Sequence, residues 1–140
     1  MRILLAIDGS DYSKKMLAYM SAHESLFSAA HDYTLLNVQA ALPGRARTLL
    51  GKETVERYYA TEAEKVLSTA SKFLLRHAID AKSITKVGHA AQTIAKIAEQ
   101  GKYDLLVMGS HGTGALMKLV MGSVATEVLA HCKVPVLLVR

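Results

Sequence analysis

The 140-residue sequence lacks the features of secreted and membrane-spanning proteins. Cys132 is its single cysteine, so an internal disulfide is impossible and a reducing compartment suits the chain best. No apolar run approaches the ~20 residues of a membrane span, and residues 1–10 lack the charged, apolar and small-residue progression of a signal peptide. We therefore expect a cytoplasmic protein without membrane insertion.

A concentrated positive charge is also missing. The formal net charge is +5, but the basic residues are scattered along the chain. Their one small cluster, Arg45, Arg47 and Lys52, has no interleaved aromatic residues that could stack on bases. We expect no nucleic-acid partner and interpret the cluster as a solvated loop. The alternative is a cluster that swings over bound phosphates.

Several catalytic and metal-binding motifs are absent as well. The chain has no Gly-x-x-x-x-Gly-Lys-Ser/Thr, no histidine at zinc-ligand spacing, and no Ser-His-Asp order or paired general acid and base. Gly112-Thr113-Gly114 begins like a dinucleotide fingerprint, but Met117 stands where its third glycine belongs. The sequence predicts no catalytic residue and no dedicated metal site, and it favours ligand binding with at most slow hydrolysis.

One glycine pattern is present and informative. Gly109-Ser110-His111-Gly112 is followed after nine residues by Gly122-Ser123, between a strand-like run and a helix-like run. Glycine lets backbone N–H groups approach a bulky anion closely, and a helix N-terminus carries free N–H donors and a partial positive charge. The pattern therefore predicts a phosphate-binding loop.

Apolar periodicity predicts alternating strands and helices. Strands are expected over 2–8, 33–38, 82–87, 104–109 and 134–139, and helices over 10–31, 53–78, 90–101 and 123–132. Residues 39–52 are expected to be the longest irregular loop, and His23 and His77 to lie on apolar helix stripes. Such alternation predicts a parallel sheet with helices on both faces, and 51% hydrophobic content in 140 residues predicts one domain over 1–140.

The chain resembles the universal stress protein family. Gly-x2-Gly-x9-Gly-Ser is similar to the nucleotide-binding signature of its ATP-binding subgroup, residues 3–10 to its first strand and turn, and residues 135–139 to its last strand. The resemblance implies an open, Rossmann-like sheet of the adenine nucleotide alpha hydrolase-like type, in strand order 3-2-1-4-5. It also implies ATP, AMP or ADP as ligand, with any Mg²⁺ carried by the nucleotide, and a homodimer formed through strand 134–139.

The implied order puts strands 1 and 4 side by side with their connections leaving in opposite directions. Open α/β sheets bind ligands at the carboxyl ends of the strands at such a switch point. The predicted binding residues are Ala6, Asp8, Val38, Gly109, Ser110, His111, Gly112, Thr113, Gly114, Gly122, Ser123 and Val124. Asp8 faces a sugar hydroxyl or a divalent cation, or else bonds within its own turn. Ser123 is expected to cap the last helix, to bind phosphate, or both. His111 is expected to be an exposed, auxiliary phosphate donor.

The preferred function is that of an ATP-binding stress or signalling module. In this interpretation the nucleotide shifts the 39–52 loop or the dimer, and an unknown regulatory protein senses the change. The alternatives are a slow ATPase or other adenine-nucleotide enzyme, and an interaction protein that binds no nucleotide. The alternative to the homodimer is a monomer whose last strand is protected by sheet twist and Arg140.

Overall fold

The computed structural model describes residues 1–113 and 120–140, which form alternating strands and helices. In chain order the described elements are β1 (Arg2–Ala6), α1 (Asp11–Ala22), β2 (Asp32–Gln39), α2 (Gly44–Leu50), α3 (Lys52–Arg76), β3 (Ala81–Val87), α4 (Ala90–Gln100), β4 (Leu105–Gly109), α5 (Ser123–His131) and β5 (Val136–Val139). No helix within the described ranges is long and apolar enough to cross a membrane.

The strands form one sheet in the order β3-β2-β1-β4-β5, which confirms the predicted order. All four strand pairings are parallel. Residues of β1 pair with β2 on one side and with β4 on the other, so that Ala6 lies between Leu36 and Met108. The connections from β1 and β4 leave in opposite directions, which opens a crevice at the carboxyl ends of these two strands.

Two apolar clusters cover the two faces of the sheet, as predicted. Because side chains alternate along a strand, Ile3 and Leu5 face the cluster beneath α1 and α3, while Leu4 and Ala6 face the cluster beneath α4 and α5. Parallel strands buried on both faces are continuously apolar, which explains the Ile-Leu-Leu-Ala sequence of β1. Cys132 packs at the edge of the second cluster, where burial raises the pKa of its thiol.

The first helix is shorter than predicted. It ends at Ala22, and His23 is its exposed C-cap residue, so the predictions of a helix to residue 31 and of His23 on its apolar stripe are wrong. Ser28 accepts a bond from the backbone N–H of Ala30, the kind of local contact by which serine competes with a helix. The apolar Phe27 is still buried, but it reaches the core from a turn.

The segment 39–52, predicted to be an irregular loop, contains α2. Pro43 precedes this helix with φ −52°, and the five residues Arg-Ala-Arg-Thr-Leu that follow Gly44 include good helix formers. No α2 residue is buried, so local propensity rather than an apolar stripe accounts for the helix. His77 is likewise an exposed C-cap residue of α3, and its predicted place on a buried stripe is wrong.

Candidate functional site

A cavity of about 400 Å³ lies at the carboxyl ends of β1 and β4. Its volume falls in the ~300–1,000 Å³ range typical of small-molecule sites. It is lined by Ala6, Ile7, Asp8, Ser13, Leu36, Val38, Ala90, Ile94, Met108, Gly109, His111, Gly112, Thr113, Gly122, Ser123, Val124 and Ala125. We call it the switch-point cavity.

Ten of the twelve predicted binding residues line this cavity. Ser110 is only 2% exposed and lies behind the cavity wall. Gly114 falls outside the described residues, as do Met117 and the rest of 114–119. Ten residues that the sequence predicted to bind ligand thus meet at one cavity, and their role in binding stays a prediction.

The residues that sequence reasoning missed form the apolar half of the cavity. Leu36 and Met108 are the strand neighbours of the predicted Ala6, so pairing register would have identified them once the strand order was known. Ala90 and Ile94 come from α4, which packs over the same face. No local sequence signal distinguishes these two from ordinary core residues.

Close packing accounts for two of the motif glycines. A Cβ atom at Gly109 would lie 2.7 Å from Tyr12 Cβ and 3.0 Å from the Tyr12 carbonyl carbon. One at Gly112 would lie 2.8 Å from Asp8 Oδ2. Real Cβ atoms essentially never come within 3.0 Å of another atom, so Gly109 must be glycine for the loop to rest against α1, while a side chain at Gly112 would displace the Asp8 carboxylate.

Gly122 brings the second half of the motif onto the first. Its N–H donates to the carbonyl oxygen of Ser110 at 2.7 Å, and an added Cβ would lie 3.0 Å from His111 Cα. The Gly-Ser-His-Gly turn and the start of α5 are therefore in direct backbone contact. The two halves of the motif, nine residues apart in sequence, therefore lie together on one wall of the cavity.

Asp8 ties the β1–α1 turn to the glycine loop. Its Oδ1 accepts bonds from the Ser10 N–H at 2.9 Å and the Ser13 hydroxyl at 2.8 Å, while Oδ2 accepts from the Thr113 N–H at 3.1 Å. The turn bond that sequence reasoning left open is therefore present. The same carboxylate faces the loop, which sequence reasoning alone could not show because Thr113 is 105 residues away.

His111 is buried, not exposed as predicted. It is 8% exposed, its Nδ1 lies 2.8 Å from Ser110 Oγ, and its ring centroid lies 4.6 Å from that of Tyr12 at an interplanar angle of 33°. The turn folds onto α1, and this tertiary contact covers a ring that a polar loop sequence suggested would face water.

The N-terminus of α5 opens on the cavity. Gly122 is its N-cap residue and makes no side-chain cap bond, so the predicted capping role of Ser123 is wrong because Ser123 is already the first helical residue. The first-turn N–H groups have no intrahelical partner and carry the positive end of the helix dipole. Ser123 and Val124 line the cavity at this point, as expected for an anion-binding helix start.

A second, more open cavity of about 650 Å³ lies beside α2 and shares no lining residue with the first. Arg47 and Lys52 of the predicted basic cluster line it, together with Val55, Tyr59 and Val87. None of the three basic residues of that cluster lines the switch-point cavity. Their placement favours the solvated interpretation of the cluster over contact with phosphates.

A doubly wound parallel sheet with a ligand-sized cavity at its switch point defines a Rossmann-like α/β protein. The model of the universal stress protein family matches residues 1–140. The chain belongs to that family.

Two relatives show how far the likeness extends. A universal stress protein of Thermus aquaticus, named for its place in the QAH/OAS sulfhydrylase 3′ region, is 33% identical over 139 residues, which cover 99% of this chain and 97% of that protein. Universal stress protein MJ0577 of Methanocaldococcus jannaschii is 35% identical over 154 aligned residues, covering 99% and 94%. Its solved structure superposes with a TM-score of 0.81 at 28% identity, over 99% of this chain and 94% of that one.

More distant solved structures share the fold and contain nucleotides. The universal stress protein from Archaeoglobus fulgidus in complex with dAMP has a TM-score of 0.66 at 22% identity, over 100% of this chain and 98% of that one. A universal stress protein family protein from Arabidopsis thaliana with AMP bound has a TM-score of 0.71 at 16% identity, over 99% and 90%.

Proposed function

We propose that this protein binds an adenine nucleotide, ATP or AMP, in the switch-point cavity and acts as a nucleotide-dependent regulatory module in a stress response. The observation that carries the proposal is the meeting of the glycine turn and the α5 N-terminus on one cavity whose other half is apolar. That division suits a ligand with an anionic end and a flat apolar base. Nucleotides bound to family members of the same fold support it.

The phosphate end of the ligand belongs at the glycine loop. Gly112 and Gly122 lack side chains where an added Cβ would lie 2.8 Å from Asp8 Oδ2 and 3.0 Å from His111 Cα, and the first turn of α5 supplies N–H donors. The Asp8 carboxylate stands beside this loop and would hold a Mg²⁺ ion carried by the nucleotide. Such an ion would supply positive charge between the carboxylate and the phosphates.

The base belongs at the end of β2. The Ile7 N–H donates to Leu36 on the β1 side, and the Gly88 N–H donates to Gln39 on the β3 side. Because these directions alternate along a parallel strand, the N–H and C=O of Val38 point to the β1 side, where β1 has already ended. One backbone donor and one acceptor are therefore directed toward the apolar half of the cavity, as recognition of an adenine edge requires.

Calorimetric titration with ATP, AMP and GTP tests this function. We expect adenine nucleotides to bind and Gly112→Val to abolish binding, because its side chain would meet Asp8 Oδ2. Gly44→Val is the matched control, since Gly44 lies on exposed α2 away from the switch-point cavity. Circular dichroism of both variants checks that the fold is retained.

Two results would contradict the proposal. Absence of nucleotide binding by the unmodified protein would favour the nucleotide-free interaction protein. Steady-state ATP turnover of about one per second or faster, within the ordinary enzyme range, would favour the enzyme. The proposal includes a cytoplasmic location, a regulatory protein partner and a homodimer formed through residues 134–139.

A further inference from the structure

Asn37 of β2 is a buried polar residue whose side-chain amide bonds to the backbone just beyond β1. It is 3% exposed, and its Nδ2 donates to the Ile7 carbonyl at 3.0 Å. Within residues 1–113 and 120–140, its Oδ1 has no hydrogen-bond partner. A buried acceptor without a partner costs free energy, so an apolar side chain would suit this position better for stability alone. The bond to Ile7 is the contact that accounts for an asparagine here.

That bond lies where the β1–β2 ladder ends. Ala6 pairs with Leu36, and the Ile7 N–H still donates to the Leu36 carbonyl at 2.9 Å. In a parallel ladder the Ile7 carbonyl would next accept from the Val38 N–H. No backbone N–H of the described residues donates to that carbonyl, and the Asn37 amide bonds to it instead. A side chain therefore takes the place of the next ladder bond.

Asn37 works from the face of the sheet opposite the cavity. Its neighbours Leu36 and Val38 line the switch-point cavity, and Asn37 does not. Because side chains alternate along a strand, Asn37 shares the face of Leu35, which packs in the apolar cluster beneath α1 and α3. The Asn37 side chain can therefore influence a ligand in the cavity only through the backbone atoms that it arranges.

We propose that Asn37 is a positioning residue: by bonding to the Ile7 carbonyl, its amide ends the β1–β2 ladder and keeps the Val38 N–H free to bind the base of an adenine nucleotide. This step rests on the proposed function, which places the base at Val38. An adenine edge presents an acceptor beside a donor, so it needs both the N–H and the C=O of that residue. An N–H already bonded to Ile7 would not be available to the base.

Amide hydrogen exchange, followed by NMR in the nucleotide-free, full-length protein, tests where the ladder ends. In the unmodified protein we expect the Val38 N–H to exchange at least roughly tenfold faster than the Leu36 N–H, which β1 bonds by register. In Asn37→Leu the Ile7 carbonyl loses its side-chain donor, so the Val38 N–H should bond to it and exchange roughly tenfold more slowly. Protection of Val38 in the unmodified protein, or unchanged exchange in Asn37→Leu, would overturn the proposal.

Titration with AMP measures the consequence for binding. Asn37→Leu should weaken the affinity for AMP roughly fivefold, the effect of losing one hydrogen bond. Its urea unfolding midpoint should be equal or higher, because leucine has a similar branched shape and buries no unpartnered oxygen.

Thr34→Val is the matched control, at a second buried polar residue of β2 that does not line the cavity. It should change neither the exchange of Val38 nor the affinity for AMP. Lower stability of Asn37→Leu together with unchanged Val38 exchange would show that Asn37 only holds the strands together, and would overturn the positioning role.

The two experiments separate this proposal from the proposed function. Exchange is measured without nucleotide, so the expected exchange in a protein that binds no adenine nucleotide overturns the function and the ligand role of Asn37 together, while its control of the ladder stands. The expected exchange with unchanged AMP affinity overturns the ligand role alone. Asn37→Val, which is smaller, also lacks a donor and suits a strand, decides the matter where Asn37→Leu fails to fold.

Discussion

At the scale of the residue, the motif glycines are needed for space and not for an unusual backbone conformation. The described glycines with positive φ are Gly9, Gly51 and Gly88, none of which belongs to the motif. Gly109 and Gly112 are instead surrounded by atoms of Tyr12 and Asp8. The sequence predicted where glycine matters, but it could not predict this packing, because the neighbouring atoms come from distant parts of the chain.

Gly109→Ala should destabilise the protein. Its methyl group would overlap the backbone and Cβ of Tyr12, and such overpacking typically lowers the free energy of unfolding by about 1–3 kcal/mol. Gly44→Ala is the matched control, because the atom nearest its added methyl is the flexible Arg47 guanidinium at 3.7 Å. Urea unfolding followed by circular dichroism measures both, and equal stabilities would contradict the packing explanation.

At the scale of the element, the central strands and most helices were predictable, whereas the end of α1 and the short helix α2 were not. The strand β1 and helices α3 and α4 have strong apolar periodicity, and their observed bounds lie close to the predicted ones. α1 was predicted nine residues too long, from an expected end at 31 to an observed one at Ala22, because apolar residues continue into the following turn. α2 was missed because Pro43-Gly44 is typical of a loop and because no apolar stripe marks the helix.

The start of α1 is a specific cap whose loss should be measurable. Ser10 is the N-cap residue and its hydroxyl accepts a bond from the Ser13 N–H at 3.3 Å. Ser10→Ala is expected to lower the free energy of unfolding by about 1 kcal/mol. Ser21→Ala, near the other end of α1, is the control and should stay within about 0.5 kcal/mol of the unmodified protein. Indistinguishable thermal unfolding of the two variants would contradict the capping role.

At the scale of the whole molecule, the sheet order creates the site. Ala6, Leu36 and Met108 lie side by side only because β1 is central and separates β2 from β4. The same order leaves β3 and β5 at the two edges. A single independently folding domain over 1–140 stays a prediction, as does the homodimer, which would cover the β5 edge.

Light scattering at micromolar concentration tests the dimer. We expect twice the chain mass of 15.2 kDa, and a mass of 15.2 kDa would contradict the dimer. Pro135 accepts a bond from Leu106 of β4 and Val139 accepts one from Ser110, which follows β4. Alternation therefore directs the Val136 N–H to the outer edge, and Val136→Pro should favour the monomer. Thr85→Pro is the matched control: since Gly88 donates to β2, alternation directs the Thr85 N–H to the opposite outer edge.

The sequence by itself determined the alternation of strands and helices, the parallel sheet and the position of the glycine loop at the sheet's switch point. These follow from local signals, namely apolar periodicity and glycines at a strand end and a helix start. Tertiary structure alone decided that His111 is buried, that Asp8 reaches Thr113, and that Ser110 stands behind the cavity. Each of these depends on atoms brought together from distant parts of the chain, which no local pattern records.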